Sequence, residues 1–321
     1  KMNNKNFIII ASIILICGVL GGSVIAEDHY PVTIKNYNTA GEEYEITFEK
    51  RPERVITTNQ PPTELLLTLG LEEFMVGTAW LDNPILAELE DKYEKIPVLS
   101  DRYPAKEVVI AKNPDFIMGW NSVFSPKNLG SVESWKKRGV NTFIQRNSGV
   151  IDNREMENVF KDLADIGKIF NVEARADKLI DSMKNRIEII QEKTKNEEPV
   201  EVLILEGAGD NQYRSYGRDS LVNDMVEKAG GINLAERGGN YSPENIIAKN
   251  PDIIILIYYL EQDKANQTAQ ALKENSALQN VDAIKNNRII YTPLAETYAG
   301  GVRTIDGIER FAASFYPQLF E

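Results

Sequence analysis

Ten side chains in this sequence are equipped to hold a molecule by contact: Trp80, Trp120, Arg146, Tyr213, Arg214, Tyr216, Tyr258, Tyr259, Tyr298 and Arg303. An arginine fork grips carboxylates and other oxyanions with paired N–H groups. Aromatic rings add large apolar faces with a polar tip. Groups that make or break bonds are scarce by comparison. His29 is the only histidine and Cys17 the only cysteine. The chain has no G-x-S-x-G elbow, no P-loop and no G-x-G-x-x-G turn. With a single histidine near the start of the body the sequence argues against a histidine triad, and a His-rich or Cys-ligated metal site is excluded. The residues point to binding rather than catalysis, with no cofactor and no resident metal.

These side chains must be positioned by the elements that precede them. Phe74–Thr78 and Phe116–Gly119 read as strands, and Trp80 and Trp120 follow them. Tyr258 and Tyr259 end the apolar run that begins at Ile253. In open α/β sheets, ligands bind beyond the carboxyl ends of strands. One such aromatic could simply cap a core, but their recurrence along the chain suggests a lining. Trp135 falls mid-helix and reads as structural.

A repeat organises the chain. Ala-Lys-Asn-Pro-Asp occurs at Ala111–Asp115 and again at Ala248–Asp252, 137 residues later. Glu107 and Glu244 each precede their copy by four positions, and an apolar run follows each copy. The interval is too long for a solenoid unit of about 20–50 residues and is the size of a domain. The expected fold is α/β, with two β/α lobes of mainly parallel strands and a ligand cleft between them. Residues 27–152 would form the first lobe, opening with a hairpin over 31–50. Residues 153–196 would be linking helices broken near Asn171, and 197–321 the second lobe. In the second linking helix, Ala176, Leu179, Ile180, Met183, Ile187 and Ile190 recur at spacings of three and four, one apolar face. Such a helix would join the lobes rigidly.

Residues 1–26 read separately. Lys1 and Lys5 precede an uncharged stretch from Phe7 to Ala26, and Val24-Ile25-Ala26 fits a signal-peptidase site. Uncut, the stretch could anchor the chain in a bilayer; Cys17, behind the bulky Ile16, could carry a lipid. All three alternatives place the body outside the cytoplasm, periplasmic or on the outer face of the membrane. The formal net charge of −12 becomes −14 once Lys1 and Lys5 are removed. So acidic a body lacks the basic footprint that nucleic acid requires.

The sequence also resembles a known family. Arg51-Pro52-Glu53-Arg54-Val55-Ile56, Thr63-Glu64-Leu65-Leu66 with Leu69-Gly70, both Glu…Ala-Lys-Asn-Pro-Asp units, the linking helix and Ala229-Gly230-Gly231-Ile232-Asn233 occur in this order. In that order they resemble the substrate-binding proteins of ABC importers for ferric siderophores, cobalamin and haem. The resemblance implies two lobes on a stiff helix, a shallow cleft of aromatic and basic residues, and a monomer. It implies that Glu107 and Glu244 dock on arginines of the permease in a permease/ATPase complex. It further suggests Trp80, Trp120, Tyr213, Tyr298 and Arg303 as cleft residues. If Arg146, Arg214 and Arg303 converge, a polyanionic ferric chelate is the expected ligand. Cobalamin would lean on the aromatics, and haem would need a tyrosine ligand in place of histidine. An exported enzyme and a purely structural surface protein are the rival classes.

Overall fold

The computed structural model describes residues 29–209 and 212–320. The proposed leader over 1–26, with Lys1, Lys5 and Cys17, lies outside the described residues. Strands β1 (Val32–Tyr37) and β2 (Glu43–Phe48) form the expected antiparallel hairpin. Five parallel strands follow: β3 (Val55–Thr58), β4 (Met75–Ala79), β5 (Val98–Ser100), β6 (Phe116–Gly119) and β7 (Asn141–Ile144). Their order across the sheet is β5-β4-β3-β6-β7, with β3 at the centre. Short helices cross between the strands, as a parallel sheet requires.

The second sheet is mixed. Strands β8 (Val200–Gly209), β12 (Ile253–Tyr258) and β13 (Ile289–Pro293) run parallel, and β10 (Gly231–Asn233) joins β8 in parallel. β9 (Gln212–Ser215) and β11 (Gly239–Tyr241) add antiparallel strands beyond β8. The sheets are α/β layers in two lobes, with the second less uniformly parallel than the sequence suggests.

Two helices connect the sheets. The first spans Met156–Phe170 and stops at Asn171, whose φ of 55° is left-handed. Asparagine tolerates that conformation as a helix end. The second spans Glu173–Thr194 and buries Ala176, Ile180, Met183, Ile187 and Ile190. Gly167 lets the two pack tightly: a Cβ there would lie 2.7 Å from the Ala176 methyl. One apolar core runs from Phe116 and Phe143 of the first sheet, along both helices, to Val202 and Ile204 of the second. Bending the linker would break that core. At 22 residues the second helix is ~33 Å long.

The repeated pentapeptide does the same structural work twice. Asn113 and Asn250 both adopt left-handed φ, 47° and 43°, and end their helices. The aspartate then secures the start of the central strand. Asp115 carboxylate oxygens accept from the Glu53 and Arg54 amides at 2.8 and 2.9 Å. Asp252 accepts from the Glu201 amide at 3.0 Å. The matched sequence thus encodes a matched corner in each lobe.

Candidate functional site

The carboxyl edge of the first sheet faces the second lobe. β3 ends at Thr58, and Asn59 turns the chain with φ 82° into the helix Gln60–Thr68. The Asn59 amide donates to the Ala79 carbonyl at 2.9 Å, and its side-chain oxygen accepts from the Trp120 amide at 3.4 Å. Asn59 therefore ties together the ends of β3, β4 and β6. This places Trp80 and Trp120 on the same carboxyl edge, after the strands that flank β3 on either side.

Both tryptophans meet aromatics of the second lobe. The Trp120 ring lies 4.8 Å from that of Tyr298. The Trp80 Nε1 donates to the Tyr259 hydroxyl at 2.9 Å. Trp80 also packs on Tyr103, with centroids 4.4 Å apart, and the Arg102 guanidinium sits 4.9 Å from the Trp80 ring and 5.5 Å from that of Tyr259. Arg102 and Tyr103 escaped the sequence reading because they lie in a loop after the short strand β5, where no periodicity marks them.

Beside this aromatic contact is a cavity of about 1060 Å³, large enough for a bulky small molecule. The segment Gly149–Arg154 lines one side; Arg214–Leu221, Glu236–Asn240 and Tyr298 line the other. Four arginines border it, Arg154, Arg214, Arg218 and Arg237, against three acids, Asp152, Asp219 and Glu236. Arg154 pairs with Asp219 across the cavity at 2.6 Å. Arg214 stays half exposed, 3.7 Å from Glu206 and over the Tyr216 ring at 4.9 Å. Among the described residues, no carboxylate pairs with Arg218 or Arg237 within 4 Å. Glycines set their position. A Cβ on Gly217 would fall 2.4 Å from the Gly238 nitrogen, so the two chain segments can approach this closely only as glycine. The run Arg237-Gly238-Gly239 beside Gly217-Arg218 was the available sequence signal.

The expected convergence of Arg146, Arg214 and Arg303 does not occur. Arg146 is buried and bonds Asp162 at 2.5 Å and Asp165 at 2.7 Å. Burial pulls its pKa down, but the two carboxylates outweigh this and hold it above the usual arginine value. Arg303 grips Glu64 with two N–H groups and donates a third hydrogen bond to the Pro84 carbonyl at 3.0 Å. Each guanidinium meets an internal carboxylate that the linear sequence does not pair with it. Only Arg214 of the three lines the large cavity.

The tyrosines divide. Tyr298 and Tyr216 line the cavity. The Tyr216 hydroxyl donates to Glu206 at 2.6 Å, and burial, then Glu206, raises its pKa. Tyr213 is buried on β9 with a hydroxyl that has no partner, and burial raises its pKa too. Tyr258 instead faces a separate cavity of about 540 Å³, with Glu296, Arg303 and Arg310. Glu107 and Glu244 lie exposed in the first turns of the helices Lys106–Ala111 and Pro243–Lys249. A hydrogen bond from Ser242 lowers the Glu244 pKa. Among the described residues, no cluster of three or more His, Cys, Asp or Glu side chains could hold a metal ion.

Comparison with known proteins agrees with this architecture. The chain is 25% identical over 297 residues to an uncharacterized ABC transporter substrate-binding lipoprotein, YvrC, of Bacillus subtilis, covering 91% of this chain and 88% of that one. It is 26% identical over 266 residues to the petrobactin-binding protein YclQ of the same organism, covering 78% of each. A cobalamin-binding protein of Halobacterium salinarum is 24% identical over 298 residues, covering 89% of this chain and 74% of that one. The crystal structure of a periplasmic binding protein from Veillonella parvula superposes with a TM-score of 0.82 at 28% identity, over 90% of this chain and 99% of that one. The model of the family described as periplasmic binding protein matches residues 55–295, so the chain belongs to the periplasmic binding protein family, whose members bind solutes rather than transform them.

Proposed function

We propose that this protein is the extracytoplasmic receptor of an ABC importer and that it captures an anionic ferric chelate of the siderophore type. One observation carries the reading: a large cavity bordered by four arginines, two of them with no described carboxylate partner. A cation without a partner at a cavity wall favours an anionic guest, and paired guanidinium N–H groups suit carboxylate or catecholate oxygens. Tyr298, backed by the Trp120 ring, supplies an aromatic wall beside them. The likeness to a petrobactin-binding protein supports the same class. Equilibrium dialysis against a panel of ferric siderophores, their iron-free forms, cobalamin and haem tests it. Retention of a ferric chelate supports the reading; retention of cobalamin or haem alone overturns it.

Cobalamin is the second reading, favoured by the aromatic wall and by the Halobacterium relative. It would leave Arg218 and Arg237 without a role.

Delivery rests on Glu107 and Glu244. Each sits on a short helix that also exposes apolar side chains, Val108 and Ile110 on one and Ile247 on the other. An exposed acid flanked by exposed apolar groups suits a transient protein contact. Paired arginines on the two permease subunits would complete it. The protein would work as a monomer at the outer face of the membrane, held there or released according to the fate of residues 1–26.

A further inference from the structure

Outside the arginine-lined cavity, one contact between the lobes joins the segments Trp80–Asn83 and Tyr259–Leu260. The Leu260 amide donates to the Asp82 carbonyl at 2.7 Å, and the Asn83 side-chain amide donates to the Leu260 carbonyl at 3.2 Å. The Trp80 Nε1 donates to the Tyr259 hydroxyl at 2.9 Å. Asn83 reaches further into the second lobe, accepting from the Ala295 amide at 3.1 Å.

Two independent features show that this contact is held against opposition. Trp80 and Leu260, one on each side, both have left-handed backbones, with φ 54° and 61°. Bulky side chains disfavour that conformation, and such strain persists only where surrounding structure enforces it. Asp82 is 1% exposed, yet neither oxygen of its carboxylate accepts a hydrogen bond of ordinary length and angle, the Gln60 backbone making only a weaker approach. An ionised carboxylate buried in this way is costly; a neutral one much less so.

The surroundings of Asp82 favour its neutral form. Burial dominates, and the Glu64 charge adds to it; the Gln60 backbone and the Arg102 guanidinium act the other way. Glu64 is itself committed to Arg303, and Arg102 is shared between the Trp80 and Tyr259 rings. Tyr103 packs on Trp80, close enough for Asp82 to act on its hydroxyl. On the second-lobe side, the Tyr259 hydroxyl is already bonded to Trp80, and the Leu260 amide to the Asp82 carbonyl. The balance pushes the Asp82 carboxyl up to about 7.

We propose that the contact between Trp80–Asn83 and Tyr259–Leu260 is a proton-controlled latch, closed while Asp82 is neutral and released when Asp82 ionises. This deepens the reading of the cleft as a solute-binding site and rests on it: the latch regulates how readily the aromatic end of the cleft opens. The sign follows from the two states. With the latch open, water reaches Asp82 and its pKa returns toward 3.8. The closed state holds the proton more tightly, so closure is strongest below about pH 4. It weakens as pH rises from 4 to 7, by about tenfold per unit in the opening equilibrium, and levels off above 7. Full ionisation therefore favours opening by roughly a thousandfold.

Hydrogen exchange on the ligand-free protein between pH 5.5 and 8.5, corrected for intrinsic rates, tests this. Protection of the Leu260 and Ala295 amides should fall about tenfold per unit up to pH 7 and then hold steady. Asp82→Asn should keep the protection seen at low pH and lose the dependence. Amides of the helix Glu173–Thr194 serve as the internal control. Unchanged protection of Leu260 across the range in the unmodified protein would overturn the latch, as would the same pH dependence in Asp82→Asn. Should the variant fail to fold, the profile of the unmodified protein still decides. Because no ligand is used, a failed latch leaves the chelate reading untouched, and a failed chelate screen leaves the latch result standing.

Discussion

Arg303 and Glu64 hold the two lobes together from opposite sides of the cleft, 239 positions apart, in an ion pair that is almost fully buried. Glu64 accepts further hydrogen bonds from the Gln60 side chain at 2.9 Å and the Leu86 amide at 3.2 Å, so its carboxylate is well satisfied. Removing one partner would leave the other charge buried and alone. Arg303→Ala should therefore destabilise the protein by about 3–5 kcal/mol. Urea unfolding measures this. Chelate affinity of the folded fraction should change little, because Arg303 does not line the arginine-rich cavity. A large affinity loss with intact stability would reassign Arg303 to ligand binding.

Arg218 and Arg237 should behave in the opposite way. Neither is paired with a described carboxylate, so replacing either by alanine should leave stability within about 0.5 kcal/mol. Each loss should weaken an anionic chelate by roughly 1.5–3 kcal/mol, the scale of a charged hydrogen bond. Calorimetric titration of both variants checks this. Unchanged affinity in both would favour a neutral ligand.

The continuous core along the linking helix predicts restrained motion. Met183 is buried on the shared face, and Met183→Ala should cost about 2–5 kcal/mol. The intact protein should show only a small change in radius of gyration on binding ligand, measurable by solution scattering. A large contraction would mean that the lobes hinge despite this core.

Glu107 and Glu244 should matter only downstream. The double change to lysine should leave folding and chelate affinity intact. It should abolish stimulation of the cognate transporter's ATPase, because permease arginines at the proposed docking points would face like charge. Normal stimulation by the double variant would reduce these glutamates to helix-end acids.

The sequence made the repeating architecture legible because its signals are local. β6 and β12 appear at Phe116–Gly119 and Ile253–Tyr258 as read, since unbroken apolar runs mark buried parallel strands. The helix break at Asn171 and the buried face of the second linking helix were legible for the same reason. β9, β10 and β11 were not, being three or four residues long and without clear alternation. The fate of each arginine was also hidden. Whether a guanidinium meets an internal acid, as Arg146 meets Asp162, or stays open, as Arg218 does, depends on how distant segments are brought together. Asp82 was missed because nothing local distinguishes a buried carboxylate from a loop acid.

The central claim, capture of an anionic ferric chelate, is tested most directly by tryptophan fluorescence. Trp120 packs against Tyr298 on the cavity wall and Trp80 lies in the adjoining aromatic contact, while Trp135 is buried in a separate core. Titration with a ferric siderophore should give saturable quenching at one equivalent, weakened in Arg218→Ala and Arg237→Ala and absent with an equal amount of cobalamin. Quenching by cobalamin alone, or by none of the ferric chelates, would contradict the account.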